Sequence, residues 1–229
     1  MSSFAKRFYK EVTVEARDGG HVILLDGRVL KTPKKHPLII DREARAGLVA
    51  AEWDAQVDEI NPSLMPCTRM MNVACEQTPT RRDDLIAEAR RYAGTDLLCY
   101  RAASPSDLTA RQAERWEPLL DWAGKFGVKL KSVTGIIAIE QDAAALDAMA
   151  EQARALGNVD LTLLVHFISV CGSAVLGLAV MKGHLSAAQA LDLSRLDELY
   201  QIEQWGEDEE AAERTEFIKR ETLALSELI

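Results

Sequence analysis

The chain is poor in the features that announce a catalyst. Its 229 residues contain no G-x-x-x-x-G-K-[ST] phosphate loop, Gly124-Lys125-Phe126-Gly127 failing the pattern, and no G-x-G-x-x-G. ATP hydrolysis is therefore not expected. There is no G-x-S-x-G nucleophile elbow, and Gly172-Ser173 falls inside an apolar, helix-like run. His21, His36, His166 and His184 are scattered, with no H-E-x-x-H pair, and Cys67, Cys75, Cys99 and Cys171 lack the close paired spacing of a zinc site. No metal and no cofactor is expected. His166 reads as a core histidine, and the cysteines read as reduced, mostly buried thiols. Positive charge is also short, 27 Lys and Arg against 36 Asp and Glu, and a net charge of -9 argues against nucleic acid as a partner. The segment before the first strand is too short to read as a signal or transit peptide, and no internal repeat or low-complexity linker is visible.

What is present is the balance of a soluble globular protein: 48% hydrophobic and 28% charged residues, in a length that suits one large domain or two small ones. The acidity gathers towards the C-terminal third, whereas Lys6, Arg7, Lys10, Lys31, Lys34 and Lys35 make the N-terminal part basic. Steered protein contacts and a plain solvated surface both account for that asymmetry.

The first forty residues read as antiparallel β-structure. Residues 9–15 include a Val-Thr-Val alternation, residues 21–25 form a second strand, and Asp26-Gly27 is a hairpin turn of type I′ before the return at residues 28–31. Residues 37–40 start another extended piece. Asp41 then reads as the N-cap of a helix carrying Val49, Trp53 and Val57 on one stripe, broken at Asn61-Pro62. Thr78-Pro79 opens the next helix, with Thr as cap and Pro at the first helical position. From there the pattern is helical: the expected fold is α+β, a small N-terminal antiparallel β-rich domain over residues 1–78 followed by a larger all-α domain over residues 79–229. A Ser/Pro loop at residues 102–107 separates parts of the structure, Pro118 kinks or starts a helix bearing Trp116 and Trp122, and Ile136, Ile137 and Ile139 offer a short strand. Residues 161–182 form an almost unbroken apolar run. A membrane span is one reading; a buried central helix is the simpler one, given His166, Ser169, Gly172, Ser173 and Gly177 and the absence of aromatic belts. Ser186-Ala187-Ala188-Gln189 is a capping box, and Leu193, Leu196, Leu199 and Tyr200 mark an amphipathic helix towards Trp205.

Glu207, Asp208, Glu209, Glu210 and Glu213 form the densest set of carboxylates. A solvated helix face, with Glu210 and Arg214 as an i,i+4 pair, is the plain reading; an acidic cleft of a hydrolase or transferase using Glu207 and Glu209 is the alternative. Trp53 reads first as core packing. Arg69 and Asn72 share a helix face and either bond the preceding loop or present a polar contact, and Asp96 organises a turn or cap.

Five segments are collectively distinctive: Leu24-Leu25-Asp26-Gly27-Arg28-Val29-Leu30-Lys31-Thr32-Pro33, then Ala51-Glu52-Trp53-Asp54-Ala55-Gln56, Met65-Pro66-Cys67-Thr68-Arg69-Met70-Met71-Asn72, Tyr92-Ala93-Gly94-Thr95-Asp96-Leu97-Leu98-Cys99-Tyr100-Arg101 and Gln201-Ile202-Glu203-Gln204-Trp205-Gly206-Glu207. In that order the chain resembles the assembly chaperones for the F1 part of ATP synthase. The resemblance implies a protein client, the unassembled F1-ATPase alpha subunit, held without ATP until it joins the beta subunit. It implies no catalysis, no small-molecule substrate and no stable membrane insertion. It also implies a bacterial cytoplasmic setting, with the mitochondrial matrix as the equivalent in eukaryotic relatives. It marks the acidic position four residues after the tryptophan, here Glu209, as functional, with Trp205 and Glu207 beside it as client-binding candidates. Glu210 and Ala211 depart from the aromatic-Ala pair of many relatives. Trp53, Arg69, Asn72 and Asp96 are characteristic of the family, either structurally or as client contacts.

Overall fold

A computed structural model describes residues 4–135 and 137–229. The chain divides into two compact units, Met1–Arg81 with Ala224–Ile229, and Arg82–Leu223. The class is α+β, with a small antiparallel sheet near the N-terminus followed by helices.

In the first unit, β1 (Val12–Arg17) and β2 (Gly20–Leu25) pair antiparallel, Val14 opposite Ile23. The other edge of β2 is shared by β3 (Arg28–Val29), opposite Leu24–Leu25, and β4 (Ile39–Ile40), opposite His21–Val22. The hairpin between β2 and β3 has positive φ at both Asp26 and Gly27, as a type I′ turn requires. Asp26 further accepts the backbone N–H groups of Lys10 and Glu11, which hold its carboxyl below the usual range. Residues 22–25 of β2 are all buried, and α1 (Glu43–Asp54) lies against β1 and β2 with Ala46 and Val49 at its contact face. After a 3₁₀ turn at Pro62–Leu64, α2 (Pro66–Glu76) contributes Cys67, Met70, Met71 and Ala74 to the same core.

Several local expectations are corrected here. Asp41 does not cap α1. Arg42 occupies the N-cap position without a side-chain cap, and Asp41 instead pairs with the buried Arg45 at 2.8 Å. Helix α1 stops at Asp54, so Val57 leaves the proposed stripe and stands exposed. Asn61 does not break that helix; its side chain caps the 3₁₀ turn through Ser63 N–H. The Thr78 hydroxyl points back to the Val73 carbonyl, and α3 (Thr78–Gly94) is kinked at the non-helical Arg81.

Among the described residues the regular structure of the second unit is helical apart from one short parallel pair, β5 (Tyr100–Arg101) with β6 (Val133–Thr134). Ile137 lies outside a strand and is exposed, and Ile136 falls outside the described residues. The loop at residues 102–107 lies within this unit rather than between units, and α4 (Ser106–Gly124) runs through Pro118. Helix α5 (Ala143–Arg154) leads to the apolar run, which is two helices and not one: α6 (Asn158–Cys171) and α7 (Ala174–Met181). Gly172 adopts a left-handed conformation (φ +62°) that an L side chain rarely adopts, and Ser173 then caps α7 by accepting Leu176 N–H. Among the described residues no helix is long and apolar enough to cross a membrane. Every residue of α7 from Ala174 to Val180 is buried, and each large side chain there contributes roughly 1.5–3 kcal/mol by leaving water. The capping box at Ser186 and Gln189 is formed, starting α8 (Ala187–Ser194). The helix expected towards Trp205 breaks at Arg195, and α9 (Leu196–Trp205) follows, then α10 (Glu209–Ser226).

Helices α6 and α7 approach closely at Gly177, where an added Cβ would sit 2.5 Å from Ile168 Cγ1 and 3.0 Å from its backbone nitrogen. Gly177→Ala is therefore expected to lower the unfolding free energy by about 1–3 kcal/mol despite the higher helix propensity of alanine. A urea titration followed by circular dichroism checks this; an unchanged or raised midpoint would contradict the packing described.

Candidate functional site

Two carboxylates organise the distinctive segments from within. Asp96, just after α3, is fully buried and caps a 3₁₀ turn by accepting Leu98 N–H at 3.0 Å. The same carboxylate accepts the Ser173 hydroxyl at 2.8 Å and Val175 N–H at 3.0 Å, so it serves the start of α7 from a distant part of the chain. Burial pushes its pKa up to about 6, against hydrogen bonds that pull it down. In the first unit, Glu52 on α1 performs the same task for α2: its two oxygens accept Cys67 N–H, Thr68 N–H and the Thr68 hydroxyl at 2.6–2.7 Å. Met65, the N-cap residue of α2, offers no side-chain bond of its own.

The neighbouring characteristic residues lie in the first unit with Glu52. Trp53 is half-buried, its ring centroid 5.6 Å from that of Tyr9 and its carbonyl accepting the Tyr9 hydroxyl at 2.7 Å. Arg69 donates to the Pro62 carbonyl at 2.8 Å, bonding the loop before it. Asn72 lies half-buried on α2 with its Oδ1 enclosed and lacking a hydrogen-bond partner, as does Trp53 Nε1. Sequence reasoning passed over three further anchors. Arg45 bonds Asp41 and the Leu228 carbonyl, drawing the C-terminus into the first unit. Glu52 stands in the distinctive segment at residues 51–56, where no local pattern marks it as a cap for α2. Gln112 is fully buried, accepting Ala102 N–H and donating to Asp197. Arg45 carried a signal in its i,i+4 spacing from Asp41; the other two bond residues too distant in sequence to be paired in advance.

The cysteines are free, and burial pushes the thiols of Cys67, Cys99 and Cys171 up to about 12, well away from reactive thiolates. Among the described residues no group of His, Cys, Asp and Glu could hold a metal ion.

The C-terminal candidates lie together in the second unit and face outward. Trp205 ends α9 with 79% of its surface exposed. Gly206 (φ +89°) turns the chain, and Asp208 caps α10 by accepting Ala211 N–H at 2.9 Å. Glu209 and Glu210 fill the first turn of α10, where the helix dipole favours negative charge by about 0.3–1 kcal/mol each. Glu207, Glu209 and Glu210 are all exposed, and the expected Glu210–Arg214 pair is not formed among the described residues. Beside them runs an open groove of about 1080 Å³, lined from α8 and α9 by Leu191, Arg195, Glu198 and Leu199 and from α10 by Ala212 and Ile218 among others. Arg195 and Glu198 form a two-bond pair across its wall at 2.7 and 2.8 Å, which lowers the Glu198 carboxyl and raises the arginine. The structure thus brings Trp205, Glu207 and Glu209 into one region. Asp96 shares their unit but is enclosed, and Trp53, Arg69 and Asn72 belong to the other unit.

The ATP12 chaperone protein family profile matches residues 6–124. The mitochondrial protein atp12 of the fission yeast Schizosaccharomyces pombe is 28% identical over 221 residues, covering 91% of this chain and 76% of the relative. Among solved structures, Atp12 from Paracoccus denitrificans superposes with a TM-score of 0.93 at 39% identity, covering 98% of this chain and 97% of the other. The Atu1473 protein of Agrobacterium tumefaciens superposes at 0.91 with 40% identity, covering 97% and 85%.

Asp96 yields a pH-dependent prediction. Its folded pKa, about 6, lies above the ordinary value of 3.8, so its contribution to stability is fully present below pH 3.8 and is lost as pH rises through about 6. Asp96→Asn cannot serve all three donors and is expected to cost about 1–3 kcal/mol. The gap between wild type and variant should be widest near pH 4 and narrow by pH 7.5, measured as the difference in urea midpoints. A gap that widens towards pH 7.5 would show that the ionised form is the one the fold prefers.

Proposed function

The chain belongs to the ATP12 chaperone family, and from that premise we propose that it is an assembly chaperone of ATP synthase whose client is the newly made F1-ATPase alpha subunit. The client is held through the surface around Trp205, Glu207 and Glu209. The observation that carries this reading is Trp205, a large apolar side chain 79% exposed beside an open groove on the second unit. Burying a tryptophan in a contact supplies a large apolar area at low entropic cost, and such residues dominate binding energy at protein interfaces.

The mechanism is mass action. An unassembled subunit exposes an apolar interface that would self-associate. A chaperone that covers this interface lowers the free concentration of the aggregation-prone form, and the beta subunit displaces it by binding better. Nucleotide is not needed for either step, and the chain offers no phosphate loop. The activity belongs where F1 is put together, the bacterial cytoplasm. The distinctive residues Trp53, Arg69, Asn72 and Asp96 serve as scaffold in this scheme, and the boundary near residue 78 divides a β-rich part from the helical part that captures the client. An acidic-cleft enzyme is less well supported: Glu207 and Glu209 are both exposed, without the enclosed surroundings that would set two carboxylates to different tasks.

Diluting denatured alpha subunit into buffer without ATP, with and without an equimolar amount of this protein, tests the proposal by light scattering. Wild type is expected to suppress scattering and to form a one-to-one complex. Trp205→Ala and Glu209→Lys should each weaken suppression at least severalfold while losing no more than about 1 kcal/mol of stability. Full suppression by both folded variants would overturn the assignment of this surface.

A further inference from the structure

The groove beside Trp205 has a length, a floor and a charge, and together they describe what fits it. On the α8–α9 side its lining recurs at Leu191, Arg195, Glu198 and Leu199. On the α10 side Ala212, Thr215 and Ile218 form its half-buried stripe. The α10 stripe therefore extends a little under two helical turns, or ~9 Å at ~1.5 Å per residue, and the opposite wall runs beside it across the break at Arg195. Past Arg195 and Glu198 the groove continues into a smaller recess of about 220 Å³ lined by Ile202 and Trp205. Apolar side chains line the main groove, Leu191, Leu199, Ala212 and Ile218 among them, and its charged lining is not neutral: seven acidic side chains against three basic ones. Two of these, Arg195 and Glu198, already satisfy each other, which leaves the acids in excess.

From this we infer that the groove receives an amphipathic helical segment of the client, with apolar side chains at i, i+3, i+4 and i+7 on the floor and lysines or arginines at its flanks. The inference rests on the reading of this surface as the client-capture surface and adds the chemistry of the segment captured. Nearly two turns of groove match the spacing by which a helix presents one apolar face. The excess acid at the rim attracts basic flanks and repels acidic ones, so discrimination comes from charge and affinity from the floor. Trp205 closes over the end of the segment and loses contact with water when the segment is bound.

The test uses the full chain and a labelled synthetic helix of about 16 residues, apolar on one face with lysine flanks, beside a sister peptide with glutamate flanks. Fluorescence anisotropy is expected to give at least about tenfold tighter binding of the lysine peptide, weakening as salt rises from about 50 to about 300 mM. Trp205 emission should shift to the blue on binding, the signal being absent in Trp205→Phe. Ala212→Trp, which fills the groove from a half-exposed position, should abolish binding, and Glu213→Lys with Glu216→Lys should remove the preference between peptides. Equal binding of the two peptides, or undiminished binding to Ala212→Trp, would overturn the inference. Suppression of alpha-subunit aggregation by the same proteins separates the two readings. If wild type and Ala212→Trp suppress equally, the groove is not the seat although the chaperone reading stands. If wild type binds the lysine peptide as described but suppresses nothing, the groove chemistry stands and the client is a different protein. A concentration-dependent dimer that Ala212→Trp dissolves would assign the groove to a second copy and overturn the inference.

Discussion

Placing a carboxylate beyond the reach of water is among the more costly acts available to a fold, and at Asp96 the second unit does so. The cost is offset only because the surroundings are donors: Leu98 N–H, Val175 N–H and the Ser173 hydroxyl all converge on it. Two of those donors, Ser173 and Val175, exist because the long apolar run is interrupted. Gly172 turns left-handed, Ser173 begins a new helix, and the first N–H groups of α7 are left without partners inside their own helix. Asp96 supplies what they lack. Remove it and Val175 N–H is unpaired in an apolar interior; remove the break and the carboxylate keeps only Leu98 N–H. The close approach of α6 and α7 at Gly177 follows from that break, since only a chain that turns at Gly172 brings Ile168 against Gly177.

The first unit repeats the device with Glu52, which caps α2 from α1. In both cases an acidic residue in one distinctive segment pairs with the start of a helix elsewhere in the chain. Hydrogen bonds thus tie residues 51–56 to residues 65–72, and residues 92–101 to the start of α7, which lies in none of the distinctive segments. At Asp96 and Glu52 the structure finds caps, and at Arg69 a loop anchor.

The groove beside Trp205 follows the opposite logic. Its acids point to water and its most prominent aromatic residue has almost no intramolecular cover, so neither contributes much to holding the unit together. Within the second unit, an enclosed interior organised by Asp96 and α7 thus coexists with an outward face that carries an exposed tryptophan and an excess of exposed acids. Residues spared from structural duty in this way are the ones available for a partner.

The sequence by itself determined the α+β class, the hairpin at Asp26-Gly27 and the capping box at Ser186, because alternation, turn chemistry and caps act over a few residues. It also carried the family, whose signature is spread through most of the chain. It did not determine where the helices of the apolar run end, since Gly172 is decisive only through the left-handed conformation it takes, nor that α1 would stop before Val57. Tertiary structure alone decided the destinations of Asp96, Glu52, Arg45 and Gln112, each of which bonds a group distant in the chain. It decided as well that Ala224–Ile229 joins the first unit and that Trp205 stands in water while Trp116 is wholly enclosed. Hydrogen bonding and burial between distant segments depend on which surfaces meet, and no local pattern of residue types contains that information.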